Sequence, residues 1–342
     1  MSTTAKLALY EDDTQAWGLI EGDALMTLAK LPDSCIDAIV TDPPYGIGFK
    51  GEAWDGTDIR QAARTDDEWT SAAEAFERWT SVWAVEARRV LKPGGHLLAF
   101  GAPRTFHRLV AGVEDAGLEV RDQLLWLYAQ GMPKSRRLPG GLGTTLKPAY
   151  EPVLLARRLL DGSTQHSLDA WGTGALNIEA ARVSDARYWP AHVVVSHSPD
   201  CVDAACAADC PAGLIDRARP QTRASRLFFS PKATRTEREA GCEQLPKTSV
   251  QIYNGHHHQP RVVSNIHPTV KPIELMRWLV RLVAPLGGMV LDPFAGSGTT
   301  GIAAVLEGRQ FVGIEREGVY VDIACARLTY WAATAEQEEV LP

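Results

Sequence analysis

The sequence predicts an α/β fold, a mixed, mostly parallel sheet with helices on both faces, and two observations predict it. Apolar strand-like runs alternate with amphipathic helical stretches through most of the 342 residues, the order that builds parallel sheets. Near the C-terminus, MVLDPFAGSGTT passes from an apolar run through closely spaced glycines into a helical stretch, as where a parallel strand feeds a helix whose first backbone N–H groups face a ligand.

The elements follow in order. In AWGLIEGDALMTLAKLP a short strand ends at Gly22-Asp23, and a helix follows with Leu25, Leu28 and Leu31 at helical spacing. CIDAIVTDPPY supplies a buried strand, Ile36 to Val40, whose carboxyl end delivers Asp42. DDEWTSAAEAFERWTSVWAVEARRVL is a long helix stopped by Lys92-Pro93-Gly94-Gly95; its Trp69, Trp79 and Trp83 read as core, with room for one of them beside a cleft. HLLAFG is a strand, RTFHRLVAGVEDAG a helix, and LEVRDQLLWLY and AYEPVLLARR two more strands. From about Arg158 to Asn265 the pattern breaks into short pieces rich in Gly, Pro, His and Arg, the mark of an insertion. PIELMRWLVRLVAPLGG then gives an amphipathic helix with a Gly-Gly stop, GRQFVGIE a strand and EGVYVDIACARLTYWAA the last helix. The chain thus divides at 1–157, 158–265 and 266–342, two parts of one body around an inserted segment.

Composition narrows the function classes. No apolar run approaches the ~18 residues of a membrane span, and MSTTAKLALYEDD lacks the basic and apolar regions of a secretory signal, so a cytoplasmic location is expected. The six cysteines are too scattered for a disulfide framework. Cys201, Cys206, Cys210 and Cys242 form no paired CxxC set, and His256-His257-His258 alternate sides on an extended segment, so no metal is expected. The net charge of −7 hides an asymmetry: Gln130 to Asn265 carries 17 Lys and Arg against 12 Asp and Glu. A basic middle on acidic flanks suits a phosphate-contacting module mounted on a catalytic body.

Two stretches carry the chemistry. Leu291 to Thr300 places Gly296-Ser297-Gly298 after a strand, and Glu315 closes the next strand 17 positions after Gly298. That is close to the ~20-residue spacing of an acid that binds a ribose diol. The glycines do not form the dinucleotide fingerprint and no Lys makes a phosphate-binding loop, so any nucleoside-containing cofactor fits. The second stretch, TDPPYGIGFKG, Thr41 to Gly51, sets an acid, two prolines and an aromatic at a strand end.

DPPY at Asp42, Pro43, Pro44 and Tyr45 and FAGSGTT at Phe294 to Thr300, with GDAL at Gly22 to Leu25 and HPTVKP at His267 to Pro272, resemble the amino-group DNA methyltransferases of the N6-adenine and N4-cytosine type. The catalytic tetrapeptide precedes the cofactor glycines, similar to the permuted order called the beta group. The resemblance spans Gly18 to Arg158 and Asn265 to Ala333, and KPAYEP and WGTGALNIEAARV are similar to stretches of phage and prophage members. It implies the Rossmann-like fold of S-adenosylmethionine-dependent methyltransferases, with 158–265 as target recognition domain, S-adenosylmethionine as cofactor and double-stranded DNA as partner. It also implies roles. Asp42 and the Pro43 carbonyl accept the N–H groups of the target amine, held by the stiff Pro43-Pro44 pair, and Tyr45 offers its ring to a flipped base. Asp23 lies near the cofactor adenine, Glu315 on its ribose, Asp292, Phe294, Gly296 and Gly298 around its sugar and methionine, and His267 and Lys271 hold its carboxylate end or cover the pocket.

Adenine is favoured, because the cytosine enzymes more often carry Ser at the position of Asp42; N4-cytosine is the alternative. Lys50, Arg217, Arg219, Arg223 and Arg226 are the candidate phosphate contacts. A homodimer and a cognate restriction enzyme are compatible partners, and the sequence decides neither. Other classes explain less. A nicotinamide oxidoreductase leaves DPPY without purpose, a glutamine methyltransferase of proteins commonly has Asn for Asp42 and the reverse motif order, and a silent DNA-binding subunit leaves the chemical residues unused.

Overall fold

The computed structural model describes residues 16–62, 71–128, 138–182, 189–195, 208, 210, 213–214, 217, 232–254 and 257–339. Its centre is a sheet of eight strands: β1 Trp17–Glu21, β2 Ile36–Thr41, β3 Leu91–Phe100, β4 Leu118–Leu127, β5 Tyr150–Arg158, β6 Val193–Val195, β9 Met289–Asp292 and β10 Gln310–Glu315. They lie in the order β1-β10-β9-β2-β3-β5-β4-β6. Every pairing is parallel except those of β5 with β3 and β4, so β5 alone runs against the rest. The remaining strands, β7 Thr248–Asn254 and β8 His257–Val263, form a separate antiparallel hairpin.

β2 shows why the interior strands read as unbroken apolar runs. All six of its residues are buried, because helices cover both faces of a parallel sheet. Beyond the irregularity between Ile36 and Ala38, alternate side chains serve different cores. Ala38 and Val40, with Leu98 and Phe100 of β3, join the cluster under α7 Ile273–Val283 and α8 Thr299–Leu306. Ile36 and Ile39, with Leu97 and Ala99, join the one under α3 Ala72–Val90 and α4 Phe106–Asp115. The long helix α3 starts at a reciprocal cap, Ser71 Oγ accepting from Glu74 N while Glu74 Oε2 accepts from Ser71 N at 2.9 Å. It ends at Val90, and Lys92-Pro93-Gly94-Gly95 is drawn into the irregular first half of β3, where a bulge shifts the register against β2. The shorter helices are α1 Ala24–Leu28, α2 Thr57–Ala62, α5 Thr164–Trp171 and α6 Arg235–Glu239, and α9 Gly318–Glu339 is the last.

Parts of 158–265 are built into this body. Asn177 Nδ2 donates to the carbonyls of Arg281 and Ala284 at 3.0 and 2.8 Å, satisfying the carbonyls at the C-terminus of α7. The Trp278 indole N–H donates to Ala181 O at 3.0 Å. The WGTGALNIEAARV stretch therefore props the helix that follows HPTVKP, and β6 adds an edge strand beside β4. Of the cysteines and histidines read as non-ligands, Cys210 and Cys242 are buried, His257 and His258 lie in β8, and Cys201, Cys206 and His256 fall outside the described residues. Among the described residues no group of three or more His, Cys, Asp or Glu is gathered to hold a metal, and no helix is long and apolar enough to cross a membrane.

The chain order positions the site. β9 and β2 are neighbours, yet from β9 the chain goes on to β10 on one side and from β2 to β3 on the other. At such a switch point the two loops diverge and leave a crevice beyond the carboxyl ends of the strands. Under the crevice sits Trp83, fully buried and edge-on to Phe294 at 5.7 Å between ring centroids. Trp83→Ala is expected to lower unfolding free energy by about 3–5 kcal/mol. Urea unfolding followed by circular dichroism measures it, and an unchanged midpoint would mean the cavity is not felt.

Candidate active site

The two loops are joined by one carboxylate. Asp292, the last residue of β9 and 2% exposed, accepts from Thr41 Oγ1 at 2.6 Å, Thr300 Oγ1 at 2.6 Å and Phe294 N at 3.0 Å. The end of β2, the turn after β9 and the first turn of α8 are thus fastened together. Burial pushes the Asp292 carboxyl up to about 6, against the hydrogen bonds that favour its charge.

The glycine loop is packed from above and below. Gly296 has φ 52°, and a Cβ there would lie 2.7 Å from His267 Nε2, so only glycine fits. Its N–H donates to Glu315 Oε2 at 2.8 Å, and Glu317 N donates to Oε1 at 2.8 Å. Gly298 follows in the left-handed region as the N-cap of α8. Beneath, the fully buried Arg327 of α9 donates to the Ser297 carbonyl at 2.6 Å and to the hydroxyls of Ser297 and Thr299, both at 3.1 Å. In front opens a cleft of about 1160 Å³ counted out to its mouth, with Asp23, Asp42, Phe294, His267, Lys271 and Glu315 on its walls. Trp54 and Trp79 line it too; Trp69 lies outside the described residues. Across the rim Arg316 meets Asp58 of α2 at 2.8 Å.

The DPPY loop hangs on an acid that no spacing rule reveals. The Asp55 side chain, in a residue 1% exposed, accepts the backbone N–H groups of Tyr45 at 2.5 Å, Gly46 at 2.8 Å, Ile47 at 3.3 Å and Phe49 at 2.7 Å. Four donors converging on one carboxylate fix the loop that carries Tyr45. Thr105 Oγ1 holds the Tyr45 carbonyl from the other side at 2.7 Å. Lys50 is exposed on this loop, open to solvent and to a polyanion.

Asp42 does not stand alone. Tyr45 OH donates to its Oδ1 at 2.7 Å and Lys271 Nζ to its Oδ2 at 2.5 Å. Lys271 is also 3.3 Å from Glu151, which accepts from Tyr128 OH at 3.3 Å. Burial raises Asp42 above the usual carboxylate range against the pull of Lys271. Burial works against the Lys271 ammonium, and the two carboxylates outweigh it, so it stays charged. Tyr45 is raised by burial and by Asp42, and keeps its proton. The segment bearing Lys271 is held by α6 and its neighbours: Glu237 accepts from Ile273 N at 2.5 Å, and Arg238 donates to His267 O at 2.7 Å.

The structure therefore gathers Asp23, Asp42, Pro44, His267, Lys271, Asp292, Phe294, Gly296 and Glu315 around one cleft, with Pro43, Tyr45 and Gly298 in its loops. Lys271 lines the cleft and lies against Asp42. Glu151, Asp55 and Arg327 escape sequence reading; AYEPVLLARR reads only as a strand, although an acid at the start of a buried strand is the one available signal for Glu151. Arg217 is not among the residues lining the cleft. Arg217 is exposed and donates to Ala208 O at 2.5 Å, and Arg219, Arg223 and Arg226 lie outside the described residues.

The sequence model of the DNA methylase family N6_N4_Mtase matches residues 36–326. The chain belongs to that family. It is a DNA amino-methyltransferase, and S-adenosylmethionine is its cofactor. Among relatives, the type II methyltransferase M.HindIII of Haemophilus influenzae is 23% identical over 91% of this chain and 94% of its own length. The type II methyltransferase M.HinfI of Haemophilus influenzae is 22% identical over 91% of this chain and 67% of its own length. Among solved structures, the PvuII DNA methyltransferase, described as cytosine-N4-specific, shares the fold with TM-score 0.56 and 15% identity, covering 95% of this chain and 94% of that one.

The cleft of this methyltransferase suits the cofactor on its own geometry. Glu315 offers a carboxylate at the end of β10, the side-chain-free Gly296 leaves the loop backbone open to close approach, and Asp23, the N-cap of α1, follows Gly22, whose N–H donates to Glu315 O at 2.9 Å. His267 Nδ1 is buried without a partner, and its ring lies edge-on to Tyr320 at 4.6 Å. Burial, with Arg238, Arg327 and Lys271, pushes this imidazole down to about 3. The unfolded chain takes a proton near 6.5 and the folded one only near 3, so stability is lost as pH falls through that window. His267→Gln is expected to flatten this part of the acid limb, read as the difference between the two proteins' unfolding free energies from pH 7 to 4. Parallel limbs would place the ring's protonation outside this window.

Proposed function

We propose that the chain is a site-specific N6-adenine DNA methyltransferase. The observation that carries this reading is Asp42 at the end of β2, one strand away from the glycine loop and on the wall of the same cleft. The first residue of the tetrapeptide supports adenine, since it is Asp where cytosine enzymes more often have Ser. The alternative, N4-cytosine, shares every other feature, and the likeness to the PvuII enzyme is one of fold.

An exocyclic amine is a weak nucleophile because its lone pair is delocalised into the ring. Asp42 accepts one N–H and the Pro43 carbonyl the other, which returns the lone pair to nitrogen. Bound S-adenosylmethionine supplies an electrophilic methyl group on a sulfonium. Positive charge developing on the amine is met by the Asp42 carboxylate. Glu151 matters here. By taking a share of Lys271, it leaves part of the Asp42 charge for the amine. Tyr45, oriented by Asp55 and Thr105, holds its ring edge-fixed beside the extruded base. Glu315 takes the ribose hydroxyls, Asp23 the adenine side and Lys271 with His267 the carboxylate end of the cofactor.

We assign target reading to 158–265, between the two catalytic parts 1–157 and 266–342. Phosphate contacts then fall to Lys50, Arg217, Arg219, Arg223 and Arg226. The named relatives are type II methyltransferases, which supports a fixed recognition site and a cognate restriction enzyme.

Incubating the protein with methyl-labelled S-adenosylmethionine and duplex DNA, then identifying the labelled base and its context by sequencing, tests the reading; label on cytosine selects the alternative. Asp42→Ala is expected to lose methyl transfer by on the order of 3 kcal/mol or more in barrier while cofactor affinity holds. Near-normal turnover would sink the mechanism. Glu315→Ala is expected to weaken cofactor binding by roughly one to two powers of ten, read by calorimetry. An unchanged affinity would move the cofactor elsewhere.

A further inference from the structure

The connection from β4 to β5 leaves the body at Tyr128 and returns at Ala149, whose carbonyl accepts from Tyr128 N at 2.8 Å. Because β5 runs against the other strands, its start lies at their carboxyl ends. Two residues beyond Ala149, Glu151 already touches Tyr45 and Lys271. The loop is therefore rooted at the mouth of the target-base site.

Its content is unusual for a surface loop. Leu142 is 65% exposed and Leu146 93%, with Leu138 also exposed. The backbone around them is turned, not loose: Leu138 N donates to Leu142 O at 2.9 Å across Pro139-Gly140-Gly141, with both glycines at positive φ. Closely spaced apolar side chains held out in water signal a surface completed by a partner. The charge says which kind. From Gln123 to Tyr150 the sequence has no Asp or Glu, and the loop carries Lys134, Arg136, Arg137 and Lys147, in a chain whose net charge is −7. Exposed leucines in a stretch of sequence whose only charges are positive complement stacked bases flanked by phosphates.

We propose that the 138–149 loop is a wedge that enters the DNA duplex beside the target nucleotide, Leu142 and Leu146 filling the space the base leaves while Lys147 holds the backbone. This rests on the reading of the chain as a DNA amino-methyltransferase. The wedge stabilises the extruded state and takes no part in the chemistry at the amine, so its loss should matter only where a base must be pulled from a paired stack.

The double variant Leu142→Ser/Leu146→Ser, with Leu146→Ser alone as a milder change, is compared with the parent on two duplexes bearing the mapped site, one fully paired and one with an abasic position opposite the target. On the paired duplex the double variant is expected to transfer methyl roughly tenfold more slowly or worse, the single variant less so, and on the abasic duplex both should approach the parent. Cofactor affinity and thermal unfolding should not move, since these side chains touch water. Equal rates for variant and parent on the paired duplex, or an equal loss on both duplexes, would overturn the wedge. So would a change of oligomeric state on sedimentation, which would make the leucines a contact between protein copies. A parent protein that labels neither duplex would instead overturn the underlying reading of function, a different result from any of these.

Discussion

The active site depends on a contact between two strand ends far apart in sequence. Thr41 closes β2 and Asp292 closes β9, and their 2.6 Å hydrogen bond lies inside the body, where both residues are buried. A buried, charge-assisted bond of this kind is geometrically demanding, and either group left unpaired would cost about 1–3 kcal/mol or more. It fixes the spacing between DPPY and the glycine loop. Groups bound by the two loops are then held in a fixed relation, a large part of what a transfer reaction needs from a protein.

Around that contact the protein spends many buried charges on shape. Asp55 takes four backbone N–H groups, Glu315 takes two, and Arg327 supports the glycine loop from beneath. Each satisfies polar groups that loops at strand ends would otherwise leave open. The pairing of Asp42 with Lys271 is different in kind, because it joins two side chains on the cleft wall rather than holding a backbone. Lys271 is shared between two carboxylates, Asp42 at 2.5 Å and Glu151 at 3.3 Å, so neither holds the whole of its charge. The cluster thus retains negative charge while staying neutral enough to be buried.

Legibility followed locality. The strands and helices of the body are readable because their apolar periods are local, and DPPY, the glycine loop and Glu315 are readable because each depends on a few neighbouring residues. Lys92-Pro93-Gly94-Gly95 shows the limit: it does end the helix near Val90, yet the pairing of Leu91 and His96 with β2 on either side of it draws it into a strand. The WGTGALNIEAARV stretch shows another. Nothing local says that Asn177 caps α7, because its partners Arg281 and Ala284 lie about a hundred residues on.

The sequence by itself determined the α/β class, the order of motifs and the family, since those are properties of residue type, period and spacing along one chain. Only the tertiary structure decided that Lys271 lies against Asp42, that Glu151 shares it, and that Asp55 gathers the loop. The physical reason is the sheet order. Placing β9 beside β2 and reversing β5 brings together side chains up to 251 residues apart, and contacts across such distances leave no period or spacing in the sequence to be read.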